Sequence, residues 1–292
     1  MNNMPTITIY EALRRASSFL ENASREPKVA EILLLHELGL TKASLISSLR
    51  DSMTQEAFSA YMDKIKQHAT TGIPVQHLTG VEQFYGRDFT VNEHVLIPRP
   101  ETEELIVAIC ETVRRKNRTD LTICDVGTGS GIIAITLAHE LAEWKPRILA
   151  TDLSPEALIV AKQNGRNHQA KIEFYQGDFL SPLMEKGEKI DLLVSNPPYI
   201  DPTEKKLMSD TVKNFDPDLA LFAPNHGLAA YEAIIQQAKF VLNKDAILAF
   251  EIGYQQGMAV SDIIKTKFQH AKVNVLQDIN GKDRMVMAEL IG

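Results

Sequence analysis

Apolar residues recur at helical spacing from Thr8 to about Thr70, as in Ala30, Leu33, Leu34 and Leu38 and again in Phe58, Tyr61, Met62 and Ile65. That spacing turns one side of each segment toward a common core. Gly39 and the Thr41-Lys42-Ala43-Ser44 segment read as one helix stop and the next start. Residues 1–79 therefore predict a small all-helical domain, whose face is a candidate docking surface for a substrate. The period then changes. In FYGRDFTVNEHVLI (84–97) aromatic and β-branched residues alternate around GRD and NEH, which predicts a hairpin or two extended segments. We place a β-hairpin linker at 80–98. PRPETEELIVAICETVRR (98–115) follows with two prolines, an acidic first turn and an apolar stripe, the chemistry of a helix start.

From residue 99 to 292 strand and helix signals alternate. The strand segments are LTICDV, RILATD, KIEFYQ, KIDLLVSN, DAILAFEIG, KVNVLQD and RMVMAEL, and all but the last two are separated from the next by helical patterns or turns. Such alternation predicts an α/β domain with a doubly wound, mostly parallel sheet of seven strands covered by helices on both faces. The last two strands are joined by Ile279-Asn280-Gly281-Lys282-Asp283, a connection that suits an antiparallel hairpin, so an antiparallel edge is expected.

Composition narrows the partners. The chain has 292 residues, 44% hydrophobic and 24% charged, with a formal net charge of -7 and a sequence pI near 5.7. That length favours two domains, and the acidic balance supplies no global field to draw the chain onto nucleic acid. The basic run Arg114, Arg115, Lys116, Arg118 reads as a solvated helix end. Cys110 and Cys124 lie in apolar segments and read as buried small hydrophobes in a reducing compartment. The eight histidines show no metal-ligand spacing, so no metal is assigned. MNNMPTITIY has no basic stretch followed by an apolar core, and no apolar run approaches the ~18 residues of a membrane span. A cytoplasmic protein without a membrane partner is expected, and a monomer.

The first strand of the α/β domain ends in Asp125-Val126-Gly127-Thr128-Gly129-Ser130-Gly131 and runs straight into a helix pattern. Glycines there allow a tight turn and a close approach of backbone to ligand, at a helix N-terminus that offers free N–H groups. The spacing differs from the G-x-G-x-x-G of dinucleotide binders, and no Gly-Lys-Ser/Thr follows. Asp152 ends the second strand. Its carboxylate can accept from both hydroxyls of a ribose, or it caps the next helix, a task Ser154 can also fill. After the third strand Asp178 can accept from an adenine amino group and Phe179 can pack on the ring. One adenosine would touch all three strand ends.

This ordered set resembles the seven-stranded S-adenosylmethionine-dependent methyltransferases, and within them the HemK/PrmC family of protein-(glutamine-N5) methyltransferases that act on peptide-chain release factors. GIPVQHLTG, FYGRDFTVNEHVLIPRPETEEL, DVGTGSGIIAITLA, DLSPEAL, DLLVSNPPYI and EIGYQQG each look like family segments in family order. PRPETE at 98–103 discriminates most, since the related enzymes acting on a ribosomal-protein glutamine resemble PRSPI there. The resemblance implies S-adenosyl-L-methionine as cofactor, a helical release-factor-docking domain at the front, and the glutamine of the Gly-Gly-Gln loop as acceptor. In place of the family's usual Glu-Pro and glycine pair, this chain has FDPDLALFAPNHGL, with Asp216 and Pro224-Asn225.

The stretch DLLVSNPPYID (191–201) then acquires a purpose. A glutamine amide nitrogen is a poor nucleophile because its lone pair is delocalised into the carbonyl. Two acceptors on its two N–H hydrogens would hold it in place and favour the partly pyramidal transition state. The Asn196 side-chain oxygen and the Pro197 carbonyl are the candidates, with φ of Pro197 fixed in advance. Tyr199 can wall the amide plane, held there by Pro198. The same four residues recur in adenine-N6 methyltransferases of DNA, which flip the base into a pocket; such an enzyme should carry a basic groove or a target-reading domain. A non-catalytic sensor or binding module is the third reading, and the intact Asn196 argues against it. Arg99 suits a cofactor carboxylate, a contact with the substrate loop, or an ion pair with Glu101 or Glu103; Glu251 suits the crevice or a helix-capping or packing role, and Trp144 core or surface cover.

Overall fold

The computed structural model describes residues 7–208 and 210–291; the reading of the first residues as leader-free rests largely on 1–6, outside the described residues. The chain divides into two compact units, Met1–Val81 with Ser209–Phe215, and Glu82–Met208 with Asp216–Gly292.

The first unit is helical: α1 (Ile9–Asn22), α2 (Lys28–Leu38), α3 (Lys42–Ser48), α4 (Gln55–Thr71) and α5 (Val75–Thr79), with the short helix Asp210–Phe215 grouped beside them. Thr8, Thr41 and Thr54 cap α1, α3 and α4 through their hydroxyls, satisfying backbone N–H groups that a helix start leaves unpaired. Gly39 and Gly72 end α2 and α4 in the left-handed conformation. The apolar stripes meet in a core around Leu20, Leu33, Leu34, Tyr61 and Ile65. Tyr61 brings a hydroxyl into it, and that hydroxyl donates to the Ala30 carbonyl at 2.9 Å; burial pushes its pKa up.

The second unit opens on a hairpin, β1 (Val81–Phe84) and β2 (Arg87–Thr90). Tyr85 and Gly86 at its tip both have positive φ, 52° and 71°, as the tightest hairpin turns require. The NEH segment forms no strand; Val91, Val95 and Ile97 run on as buried irregular chain. Phe84 and Phe89, from the stretch read as a linker, are buried in the core of this unit. There follow α6 (Pro100–Lys116), β3 (Thr122–Val126), α7 (Ile132–Glu140), β4 (Arg147–Asp152), α8 (Pro155–Asn167), β5 (Ile172–Gln176), α9 (Ser181–Lys186) and β6 (Ile190–Ser195). After α10 (Asp210–Phe215), grouped with the first unit, the second unit resumes with α11 (Asp218–Leu221), α12 (Ala229–Val241), β7 (Leu242–Glu251), α13 (Gly257–Lys267), β8 (Lys272–Gln277) and β9 (Asp283–Glu289).

Strands β3 to β9 form one sheet in the order β5-β4-β3-β6-β7-β9-β8. Pairing is parallel from β5 through β7, and β9 is antiparallel to both β7 and β8. The last two strands form the expected antiparallel hairpin at the edge of the sheet, with β9 inside and β8 outermost. Composition explains which of the two lies inside: Met285, Val286, Met287 and Ala288 of β9 are buried in succession, which requires a covered strand, whereas β8 is mostly exposed and suits an edge. The basic run at the end of α6 is a paired helix end. Arg115 and Lys116 both reach Glu289 at 2.7 Å, and Arg118 reaches Asp191 at 2.9 Å. Trp144 packs on the core beneath the Arg114 guanidinium, and both cysteines are buried thiols.

Candidate active site

The chain winds outward from β3 through β4 to β5, then returns to place β6 on the other side of β3. At such a reversal the loops leaving the two adjacent strands part, and a crevice opens beyond their carboxyl ends. The buried Ser195 hydroxyl at the end of β6 donates to the Val126 carbonyl at the end of β3, at 2.6 Å. The residues that follow, Asn196 and Gly127, both line one cleft of about 230 Å³. Every residue lining it belongs to the second unit.

One wall is the loop after β3. Gly127 and Gly129 have φ of 72° and 55°, and a Cβ at either would project into open space; only glycine combines that backbone with an unobstructed face toward a ligand. The Gly127 and Thr128 N–H groups both donate to the Thr151 carbonyl at 2.9 Å. Asp152 accepts from Gly129 N at 2.8 Å on one carboxylate oxygen and from Ser154 N at 2.9 Å on the other. Each oxygen keeps a second lone pair, enough for a vicinal diol. Burial pushes the Asp152 pKa up, against the backbone donors that pull it down.

Beneath the loop Asp125 is buried, its Oδ2 accepting from the Thr128 hydroxyl at 2.6 Å and from Ala134 N at 3.2 Å. Burial raises its pKa from 3.8 to about 7. Between those values the folded chain keeps a proton that the unfolded chain releases, so stability falls as pH rises. The slope from this one group reaches at most about 1.4 kcal/mol per pH unit. Urea melts of Asp125→Asn across that range are expected to show a flatter decline than the parent; an unchanged slope would contradict the assignment.

Opposite the glycine loop stands Asn196. Its Nδ2 donates to the Thr102 hydroxyl at 3.4 Å, and that hydroxyl donates to Glu251 Oε2 at 2.6 Å. Glu251 closes β7 and is buried; burial raises its pKa to about 7, against Thr102, Arg284 and Asn196. Pro198 also lines the cleft. Pro197 is buried, and Tyr199 is half-buried against the core on the other face of the sheet. Burial pushes the Tyr199 phenol up to about 12. The Tyr199 carbonyl accepts from Gln256 Nε2 at 3.0 Å. Gly227 passes so close behind it that a Cβ there would sit 1.9 Å from that oxygen.

The remaining side is a roof. Asp216 and Arg99 pair at 2.9 Å, joining the segment before α6 to the segment carrying Pro217, Leu219 and Ala220, which face the cleft. Backbone bonds from Ile200 N to Leu221 O and from Ala223 N to Ile200 O tie that segment to the exit of the Asn-Pro-Pro-Tyr turn. Arg99 therefore pairs with neither Glu101 nor Glu103; Glu103 accepts from Tyr85 N at 2.6 Å instead.

Of the residues singled out in the sequence, Gly127, Thr128, Gly129, Ser130, Asp152, Asn196 and Pro198 come together on this cleft. Gly131 does not line it; it caps α7, where a Cβ would press on Ile135 and Ala161 at 3.2–3.3 Å. Asp178 and Phe179 do not line it either: Asp178 is exposed, and Phe179 packs on the core. Leu153, beside Asp152, is the apolar surface on that side. Sequence reading missed Thr102, Asp125, Asn164, Gly227 and Gln256. Asn164 is fully buried, binds both backbone groups of Thr90 and donates to the Ser130 carbonyl, tying hairpin to loop. A polar residue on the apolar side of a helical pattern was its one available signal.

A methyltransferase-domain model matches residues 117–288, and a model described as the PrmC N-terminal domain matches residues 11–80. The chain is 44% identical over 283 residues to the release factor glutamine methyltransferase of Bacillus anthracis, covering 97% of this chain and 99% of that one. This chain belongs to the release factor glutamine methyltransferase family. A further member, the release factor glutamine methyltransferase of Bacillus subtilis strain 168, is 43% identical over 283 residues, 96% of this chain and 97% of its own. Among solved structures, a methyltransferase from Pyrococcus furiosus aligns with a TM-score of 0.51 at 13% identity, covering 82% of this chain and all of that one; that likeness is one of fold. As a member of this family the chain is an S-adenosylmethionine-dependent methyltransferase, and the open glycine loop and Asp152 suit the amino-acid and ribose parts of that cofactor.

Proposed function

We propose that this protein methylates the side-chain amide nitrogen (N5) of the glutamine in the Gly-Gly-Gln motif of a peptide-chain release factor. The observation that carries the reading is the amide of Asn196, held by its Nδ2 at the end of β6 and lining the same cleft as the glycine loop and Asp152. When bound, the cofactor supplies an electrophilic sulfonium methyl group. Asp152 accepts from the ribose hydroxyls, and the loop from Gly127 to Ser130 receives the amino-acid end. Asn196 Oδ1 and the Pro197 carbonyl accept the two N–H hydrogens of the incoming amide and hold its nitrogen in place. This orientation requires no strong base, because the amide proton becomes acidic as the nitrogen acquires its new bond and leaves to water.

Two features favour a protein acceptor over a DNA adenine. The cleft carries Glu93 and Asp152, and its Arg99 is already paired with Asp216, so there is no basic groove there for a phosphate backbone. The front unit is a helical bundle matched by the N-terminal domain model of this family, and its role in the proposal is to grip the release factor. No helix among the described residues is long and apolar enough to cross a membrane, which is compatible with a cytoplasmic site of action. The test is incubation of the purified chain with methyl-labelled donor and either a release factor or duplex DNA. Label is expected on the release factor, at the glutamine of the Gly-Gly-Gln loop; label on DNA alone would reverse the substrate assignment.

A further inference from the structure

An asparagine amide is nearly symmetric in shape, and its terminal torsion is broad and roughly two-fold. Nothing in Asn196 itself decides whether oxygen or nitrogen faces the cleft. The wrong choice would present an N–H donor to a substrate N–H donor. Something must therefore set the orientation, and with Glu251 ionised the residues behind Asn196 form a one-way chain of donors. Glu251 offers acceptor oxygens, one of which takes the Thr102 hydroxyl hydrogen at 2.6 Å. With its hydrogen committed, the Thr102 oxygen is left as an acceptor toward Asn196, whose Nδ2 lies 3.4 Å away.

We propose that Thr102 and Glu251 are positioning residues for the transfer reaction, a two-residue relay that holds the Asn196 amide with Nδ2 inward and Oδ1 toward the acceptor nitrogen. The inference rests on the proposed glutamine methylation. Burial supports it: Thr102 is 1% exposed and Glu251 2%, and a carboxyl group in such a place is costly unless its bonds are used. Arg284 lies near Glu251, but its guanidinium bonds Asp278 at 3.2 Å. Glu101, Tyr199 and Tyr231 are the other titratable groups close to it, and none offsets its charge. Thr102 and Glu251 come from α6 and β7, and Asn196 directly follows β6, so sheet register rather than local sequence aligns the three.

Thr102→Val keeps the shape of the side chain and deletes the hydroxyl, whereas Thr102→Ser keeps the hydroxyl and deletes the methyl. Both would be assayed with the parent on a release factor, together with donor KM, donor Kd and melting temperature. Thr102→Val is expected to lower kcat about tenfold or more, the scale of a misplaced reacting group, with donor KM and Kd within about twofold of the parent. Thr102→Ser is expected to recover kcat to within about threefold. If Thr102→Val does not fold, Thr102→Ala carries the same expectation. Parental kcat without the hydroxyl, or a loss in Thr102→Ser as large as in Thr102→Val, overturns the relay and leaves the methylation reading intact. Absence of transfer by the parent itself overturns the methylation reading.

Discussion

Replacement of Asn196 by alanine is expected to lower methyl transfer to a release factor by about 100- to 1,000-fold, the cost of deleting one preorganised hydrogen-bonding group from a transition-state site. Cofactor affinity is expected to stay within a few-fold of the parent, because the loop from Gly127 and the Asp152 carboxylate hold their geometry through bonds to Thr151, Gly129 and Ser154, none of which involves Asn196. The pattern matters more than the size. A kcat loss with unchanged donor binding marks an interaction made in the transition state, as expected for an acceptor that steadies the amide nitrogen. Binding of the release factor is expected to persist, which separates the catalytic reading from that of a docking module. A variant that transfers methyl groups at the parental rate would remove Asn196 from the chemistry.

Asp152→Ala is expected to act on the other reactant. Two hydrogen bonds from ribose hydroxyls to a carboxylate contribute about 3 kcal/mol, so donor affinity is expected to fall about 100-fold. The loss of the Gly129 N–H partner at 2.8 Å loosens the loop as well and adds to the effect. Asp201→Ala is the control. That carboxylate accepts from the Thr203 N–H and hydroxyl at 2.8 and 2.7 Å and starts a short turn away from the cleft lining, so donor affinity is expected to stay at the parental value. Calorimetric titration of both variants with S-adenosylmethionine distinguishes the outcomes. Equal affinities in the two would withdraw the ribose assignment.

Local chemistry made much of this molecule readable in one dimension. A run such as Leu121–Val126 ending in alternating glycines can do little else than close a strand and open a helix, since φ values of 72° and 55° at Gly127 and Gly129 exclude most other residues. Asp152 and Asn196 were legible for the same reason: each ends a strongly apolar strand, where ligand-facing residues of an α/β sheet lie. The hairpin tip at Tyr85-Gly86 and the helix caps at Thr8, Thr41 and Thr54 are likewise short-range effects, settled within a few residues.

What the sequence by itself determined is therefore the set of elements, their order, and the glycine loop with the carboxylate beside it; what only the tertiary structure decided is who stands beside whom. Strand order put β6 against β3 and so brought Asn196 across from Gly127. It put β9 inside β8, because four consecutive buried side chains need cover on both faces. It drew Phe179 onto the core instead of the cleft and paired Arg99 with Asp216 rather than with its near neighbours Glu101 and Glu103. It also lined up Thr102, Asn196 and Glu251 from three separate elements. The physical reason is range: dihedral preference and periodicity act over a few residues, whereas each of these contacts spans the chain and exists only once register and burial have been satisfied together.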